Sequence, residues 1–302
     1  MQATDQQVHQ SIYRNVTDKI IAAIEAGADA FKMPWHTGDA STSMPVNAAT
    51  DAAYRGINVL SLWVESLEKN YPSGYWASYM QWQDLGAQVR KGERGATIIF
   101  YKRLDGGDPE QSLETKGRPF VARASRVFNA AQVEGWTPPL PLPMPEFEKN
   151  NQVEAFVAAT GASVRHGFSM AKYRRDLDDI EMPSPGWFIG TNTSTPLQSY
   201  CAILLHELTH WSGASHRLDR EFGHRFGDKA YAFEELVAEL GAAFLCSMLG
   251  IANEPRPDHA AYVSSWLEVL GKDSQAIFTA ANRAQLAVEY LAHFAFEAGT
   301  IK

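Results

Sequence analysis

Residues 206–210 read His-Glu-Leu-Thr-His, and this pentapeptide constrains the fold more than any other segment of the chain. Residues four apart lie on one helix face, so His206 and His210 can direct their imidazole nitrogens at a single metal ion. Glu207 is rotated by roughly 100° from His206, which keeps it from coordinating the ion but leaves it within reach of a bound water. Zinc makes such a water more acidic, and a neighbouring carboxylate can take its proton. The pattern predicts a zinc site of the metallopeptidase type, with Mn²⁺ as the alternative ion and Glu207 as general base.

A catalytic zinc ion needs a third protein ligand, and the predicted helix over residues 231–249 offers one. Glu235 and Glu239 are four residues apart and share a helix face with small residues. We assign Glu235 as the ligand, and we expect Glu239 to accept a hydrogen bond from a ligand histidine, with a purely structural carboxylate as the alternative. Three other side chains stay open as ligands: Glu234, His216 and His224. Three are candidate donors to a developing oxyanion: Tyr173, His224 and Tyr231.

A proline-rich stretch, TPPLPLPMP at 137–145, divides the chain, because alternating prolines favour an extended connector. We predict domains at 1–136 and 147–302 with a linker at 137–146. Hydrophobic periodicity predicts six helices and two strands in the two parts. The helices are expected at 8–26, 57–67, 146–160, 197–211, 231–249 and 276–297, and the strands at 96–101 and 119–128. Residues 180–190 are expected to form a short extended edge element. The fold class is α+β, with a small mixed first domain and a mostly helical second domain.

The net charge of −8 hides a basic segment in the first domain. Residues 90–126 contain nine Lys or Arg and five Asp or Glu, a net of +4. Aromatic residues precede this segment, and aromatic faces stack on bases while basic side chains follow phosphates. A single-stranded DNA surface is therefore one interpretation, and a packed aromatic core is the other. The candidate DNA-binding residues are Tyr54, Arg55, Trp76, Tyr79, Trp82, Arg90, Lys91 and Arg94.

The cysteine content and the hydropathy pattern indicate a cytoplasmic protein. Cys201 and Cys246 are too few for a disulfide framework, which favours a reducing compartment. The N-terminal residues lack the pattern of a secretory signal, and the longest nearly apolar stretch is too short to span a bilayer. We therefore expect no membrane association.

Several longer motifs resemble those of the ArdC-type antirestriction proteins of conjugative plasmids, in the same order and over almost the whole chain. They include YRGINVLSLW (54–63), LGAQVRKGERG (85–95), RVFNAAQVEG (126–135), LLHELTHWSG (204–213) and RFGDKAYAFEELVAELGAAFLC (225–246). The resemblance implies an N-terminal domain that binds single-stranded DNA and a C-terminal zincin-like metallopeptidase domain, similar to Spartan-type proteases of DNA–protein crosslinks. It also implies metal roles for His206, His210 and Glu235, a base role for Glu207, and protection of incoming plasmid DNA from host restriction.

Three functional hypotheses follow. The leading one is an antirestriction protein that binds single-stranded DNA and cleaves DNA-bound proteins at the metal site. The second is a DNA-binding shield whose metal is structural or catalytically silent. The third is a general cytoplasmic metallopeptidase whose first domain docks proteins rather than DNA.

Overall fold

The computed structural model describes residues 2–28, 33–36, 43–103, 120–139, 145–190, 194–223, 229–252 and 259–301. Within these ranges the chain forms eight α-helices and nine β-strands. None of the described helices combines the length and apolarity that a membrane span needs. Five residues of the predicted linker, 140–144, lie outside the described residues, as does His224.

The first region combines three helices with two small sheets, which confirms the predicted mixed α+β character. The helices are α1 (Gln2–Ala28), α2 (Ile57–Lys69) and α3 (Tyr79–Asp84). The strands are β1 (Val46–Asn47), β2 (Tyr75–Ala77), β3 (Gln88–Val89), β4 (Ala96–Arg103), β5 (Phe120–Asn129) and β6 (Val133–Glu134). One sheet has the order β1-β2-β5-β4, and β3 pairs with β6. The long antiparallel pair of β4 and β5 runs from Ala96 opposite Val127 to Arg103 opposite Phe120.

Local chemistry explains the limits of α2. The helix starts after Gly56, whose positive φ of 54° is accessible to a glycine without steric cost. It ends at Asn70, which adopts the left-handed conformation typical of a helix C-terminus. Between these limits Val59, Leu60 and Trp63 are buried. The helix therefore lies with its apolar face on the core, as the sequence predicts.

The second region is mostly helical, as predicted, but it also contains a three-stranded sheet. Its helices are α4 (Glu146–Thr160), α5 (Pro196–Ser212), α6 (Lys229–Leu249), α7 (His259–Lys272) and α8 (Ala276–Glu297). Its strands are β7 (Ser163–His166), β8 (Lys172–Arg174) and β9 (Asp179–Met182), in the order β7-β9-β8. The prediction of an edge element at 180–190 is wrong, because β9 is the central strand and all four of its residues are buried.

One hydrophobic core extends across both regions. Helix α2 contacts α8, and α1 contacts α7. The backbone N–H of Gly56 donates to Gln285 Oε1 of α8 at 3.1 Å. Three aromatic pairs join the regions with ring centroids 4.6, 6.4 and 5.7 Å apart: Tyr13–Phe278, Trp35–Trp266 and Trp63–Phe244. The two parts of the chain are thus packed against each other through shared apolar side chains.

Candidate metal centre

Helix α5 carries both histidines through the interior of the molecule. The Thr195 hydroxyl accepts a hydrogen bond from the backbone N–H of Gln198, and the Gln198 side chain reciprocates, so a capping box starts the helix. Every residue from Leu204 to Ser212 is buried. His206 and His210 are therefore held within the interior, and their rings lie 4.8 Å apart between centroids.

Glu235 of α6 faces both histidines. Its Oε2 lies 3.6 Å from His206 Nε2, and its Oε1 lies 3.6 Å from His210 Nε2. Donor atoms at zinc-ligand distance in a tetrahedral site are separated by about 3.4 Å. The donor atoms of the three buried side chains all lie within 4.8 Å of one another, so they are grouped closely enough for one divalent cation. The structure brings the three predicted ligands together.

A second carboxylate lies behind each histidine. Glu239 Oε2 is 3.5 Å from His206 Nδ1, and Glu234 Oε1 is 3.2 Å from His210 Nδ1. Carboxylates in this position fix the ring and its tautomer, which makes the opposite nitrogen a better ligand. Glu234 thus faces the rear nitrogen of His210, whereas Glu235 faces the front one. This geometry favours Glu235 over Glu234 as the ligand, and it places Glu239 on the rear side of His206, where a hydrogen bond from Nδ1 stays a prediction.

Arg220 completes the arrangement around Glu234. Its Nε and Nη2 both donate to the Glu234 carboxylate, and it also donates to Ser212 Oγ and Thr209 O. Burial raises the pKa of Glu234, but hydrogen bonding to His210 and the charge of Arg220 outweigh it, so this pKa lies below its usual value. The carboxylate therefore stays ionised in the interior.

Glu207 is aimed at the same cavity as the ligands. Its Oε2 accepts a hydrogen bond of 2.8 Å from the backbone N–H of Tyr173 in strand β8, which fixes the orientation of the carboxylate. The cavity has a volume of about 730 Å³ and is lined by the three candidate ligands and Glu207, together with side chains from β8 and the segment before it. A carboxylate beside a metal site at the wall of an accessible cavity can act as a base toward a water there.

The candidate oxyanion donors differ in their surroundings. The Tyr173 hydroxyl donates to Asp178 Oδ1 at 2.8 Å, and burial together with that contact raises the Tyr173 pKa to about 12. Tyr231 and Tyr173 both line the cavity that His206, His210 and Glu235 reach. His216 is exposed, its Nε2 lies 3.4 Å from Asp178 Oδ2, and it is not part of the cluster of His206, His210 and Glu235.

Sequence reasoning missed three side chains of this centre. Trp35 and His36 come from the first region, and both contact Glu239. Arg220 lies in a loop beyond α5 and is buried. Arg220 ends the tetrapeptide Arg-Leu-Asp-Arg at residues 217–220, but its burial beside a carboxylate partner is not visible in the sequence. No pattern in the sequence connects residue 36 with residue 239, since their contact is purely tertiary.

Three of the predicted DNA-binding aromatics are core residues. The exposed fraction is 1% for Trp76, 0% for Trp82 and 9% for Tyr54. The Trp82 indole donates to Phe128 O at 2.9 Å, and its ring packs on Trp136. The prediction that these rings stack on bases is wrong, because their faces are covered by protein. Arg55 is also engaged within the molecule, as it pairs with Glu289 of α8.

Three of the remaining candidates, Arg90, Lys91 and Arg94, lie in the turn of residues 90–94, here called the basic turn. Lys91 and Arg94 are exposed, and Arg90 is tied to Glu93 Oε1 at 2.7 Å and to Ala131 O at 2.6 Å. Tyr79, 41% exposed, accepts a hydrogen bond from Gln88 of β3, shortly before this turn. The structure thus leaves the Tyr79 ring and the side chains of Lys91 and Arg94 accessible to solvent.

Two family models match the chain, one on each region. The N-terminal domain of the anti-restriction factor ArdC matches residues 10–131, and a zincin-like metallopeptidase domain matches residues 151–283. A solved structure of the ArdC protein of plasmid R388 is 40% identical, covers 94% of this chain and 98% of its own, and superposes with a TM-score of 0.74. The chain belongs to the ArdC antirestriction family. A second ArdC structure, bound to Mn(II), gives 39% identity and a TM-score of 0.72. The zincin-like fold and this relative support a divalent-metal site.

The chain is also similar in sequence to three curated proteins. The uncharacterised protein y4eC of Sinorhizobium fredii is 46% identical over 290 residues, covering 94% of this chain and 92% of the relative. Two DNA primases named TraC from Escherichia coli are 34% and 33% identical over 95% and 92% of this chain. This chain spans 28% and 20% of the two primases, respectively. The family fold therefore also occurs as one part of longer proteins.

Proposed function

We propose that this antirestriction protein binds single-stranded DNA through the basic turn and cleaves DNA-bound proteins at its metal centre in the cytoplasm. The observation that carries the enzymatic part is the convergence of His206, His210 and Glu235 on one point, with Glu207 beside them. The DNA part is supported by the exposure of Lys91 and Arg94 in the basic turn and of Tyr79, which is bonded to Gln88 of β3 shortly before that turn. Relatives that are named DNA primases also favour a role on DNA. Tethering to DNA would raise the local concentration of protein substrates bound there.

Zinc is the proposed ion, because two histidines and one glutamate form a known catalytic zinc set that leaves a coordination position open. Mn²⁺ is the alternative, although its harder character favours more oxygen ligands. When bound, the ion supplies Lewis acidity toward a peptide carbonyl and makes a water more acidic. Glu207 takes a proton at its carboxylate and returns it to the leaving amine. The Tyr173 N–H holds that carboxylate in place, and Tyr231 lies at the cavity wall to donate to the developing oxyanion.

Replacing Glu207 by Gln distinguishes the peptidase hypothesis from the hypothesis of a DNA-binding shield. We expect the E207Q protein to retain metal, because Glu207 is not a ligand, and to lose peptidase activity by about 10²–10⁴-fold, the usual contribution of a general base. The measurements are metal content and survival of a plasmid transferred into a host with an active restriction system. Glu148→Gln, an exposed carboxylate of α4, is the matched control. If E207Q protects the plasmid as well as wild type while holding metal, the shield hypothesis replaces the peptidase.

Replacing Lys91 and Arg94 by Ala tests the DNA surface. Each phosphate contact on a single strand contributes about 0.7 to the slope of log affinity against log salt. We therefore expect weaker binding of oligonucleotides and a slope smaller by about 1.4 if both cations contact phosphates. Lys149→Ala with Lys272→Ala removes the same charge from α4 and α7 and serves as control. An unchanged slope would exclude Lys91 and Arg94 of the basic turn as phosphate contacts. If the wild-type chain bound no DNA at all, the general peptidase hypothesis would be favoured.

A further inference from the structure

A segment of the first region reaches the metal centre. Met33, Trp35 and His36 are each 1% exposed, and they fall within the residues matched by the ArdC N-terminal domain model. His36 Nε2 lies 2.5 Å from Glu239 Oε1, and the Trp35 indole donates to the same oxygen at 3.3 Å. Glu239 therefore has one oxygen directed to the first region and the other to His206 Nδ1, 3.5 Å away.

The hydrogen-bond directions are set by the backbone of the segment. The N–H of Met33 donates to His36 Nδ1 at 3.0 Å, so that nitrogen is the acceptor of the ring. The neutral imidazole then carries its proton on Nε2 and donates to Glu239. Two N–H donors from the segment thus converge on one buried carboxylate. Packing of Trp35 against Trp266 of α7 holds the donors in place.

We infer that Trp35 and His36 are positioning residues of the metal centre, so that the first region completes the site in the second. A buried carboxylate without donors on one side is costly and free to rotate, whereas two donors fix its orientation and charge. The second oxygen of Glu239 is then held toward His206 Nδ1, which orients the ligand ring. This inference rests on the proposed role of His206 as a ligand.

Removing the donors should weaken metal binding. Partners that orient ligand residues typically change metal affinity by about 10–100-fold. His36 acts through Glu239, so we expect His36→Leu to lower affinity by about 10-fold, the lower end of that range. His36→Gln keeps an N–H donor near the position of Nε2 and should recover most of the loss. Trp35→Phe keeps a ring in the core and removes only the indole donor, so it should cause a smaller loss.

The test is a titration of the full-length apoprotein with Zn²⁺ in competition with a chromophoric chelator, repeated with Co²⁺ to record the visible spectrum of the bound ion. The variants are His36→Leu, His36→Gln, Trp35→Phe and His206→Ala. Phe156→Leu, a core substitution in α4, controls for loss of stability without a change near the site. Thermal unfolding of each apoprotein establishes that it is folded.

A loss of affinity in His36→Leu that exceeds the loss in Phe156→Leu, with recovery in His36→Gln and an altered Co²⁺ spectrum, supports the inference. Wild-type affinity in His36→Leu, or a loss equal to that of Phe156→Leu, overturns it. If His36→Leu does not fold, the metal affinity of Trp35→Phe is compared with that of Phe156→Leu instead. A larger loss in Trp35→Phe supports the inference, and an equal or smaller loss overturns it. Undiminished binding by His206→Ala would instead overturn the ligand assignment, which distinguishes failure of the proposed site from failure of this inference.

Discussion

Glu234 and Glu235 are adjacent in sequence, yet each lies closest to a different ring nitrogen of His210. Successive helix residues differ in direction by roughly 100°, so one glutamate reaches His210 Nε2 and the other reaches Nδ1. The histidines and Glu207 could be assigned from the sequence, because their spacing lies within one helix. The choice between the two glutamates depends on how α6 is rotated against α5, which the local pattern does not encode.

Replacing each glutamate separately tests this division of roles. Glu235→Ala removes a ligand, so we expect metal affinity to fall by more than the roughly 100-fold upper range for an orienting partner. Glu234→Gln keeps the ligands but leaves the buried Arg220 charge without its partner, which should cost about 3–5 kcal/mol of folding free energy. Chelator competition and denaturant unfolding measure the two effects. The assignment is reversed if Glu234→Gln abolishes metal binding and Glu235→Ala spares it.

At the scale of elements, the metal centre depends on the close approach of α5 and α6. A Cβ placed on Gly241 of α6 would lie 2.5 Å from Thr209 Cγ2 of α5. The two helices are therefore packed so closely at Gly241 that there is room for its hydrogen but not for a methyl group. His206 and His210 lie on α5 and Glu235 lies on α6. The distance between the two helices therefore sets the distances between the Glu235 oxygens and the histidine nitrogens.

Gly241→Ala should accordingly destabilise the protein by about 1–3 kcal/mol, as overpacking of a core does, and weaken metal binding. Gly271→Ala in α7 is the matched control, because a Cβ there meets nothing within 4 Å. The control should be neutral or more stable by up to about 1 kcal/mol, since alanine favours helix. Adding Thr209→Ala to Gly241→Ala should restore part of the stability. Equal unfolding curves for the two glycine variants would argue against a close helix contact.

Elements with strong periodicity were predicted well, and those without it were not. The expected limits of α4 and α8 match the structure, and α2 differs only at its end. Helix α7 was not predicted, and the strands β7 and β8 are too short to show a pattern. Pro183 and Pro185 favour an edge position for residues 180–190, but both follow Met182, where β9 has already ended. The local sequence likewise does not predict that Trp76 and Trp82 are buried, because aromatic rings occur both in hydrophobic cores and on surfaces that bind DNA.

At the scale of the whole molecule, the proline-rich stretch suggested two separable domains, whereas the described residues of the two regions share a core. Hydrophobic periodicity identifies which face of a helix is buried but not which partner covers it. Helices α1 and α2 bury their apolar faces partly against α7 and α8. Covering this surface requires residues that are more than 200 positions away, as in the contact of Tyr13 with Phe278.

The shared core predicts that residues 1–139 do not fold alone. Full burial of a large apolar side chain contributes about 1.5–3 kcal/mol, so uncovering the fully buried Trp35 and Trp63 costs about 3–6 kcal/mol, a large part of a typical stability of about 5–15 kcal/mol. We expect the isolated fragment to lack a cooperative thermal transition, and co-expression with residues 145–302 to restore one. The control is the full chain cleaved between residues 139 and 145 after folding, which should unfold as one unit. A cooperative transition of fragment 1–139 by itself would show that the first region is independent, and the coupling between its Trp35–His36 segment and the metal centre would then be a contact between two autonomous domains.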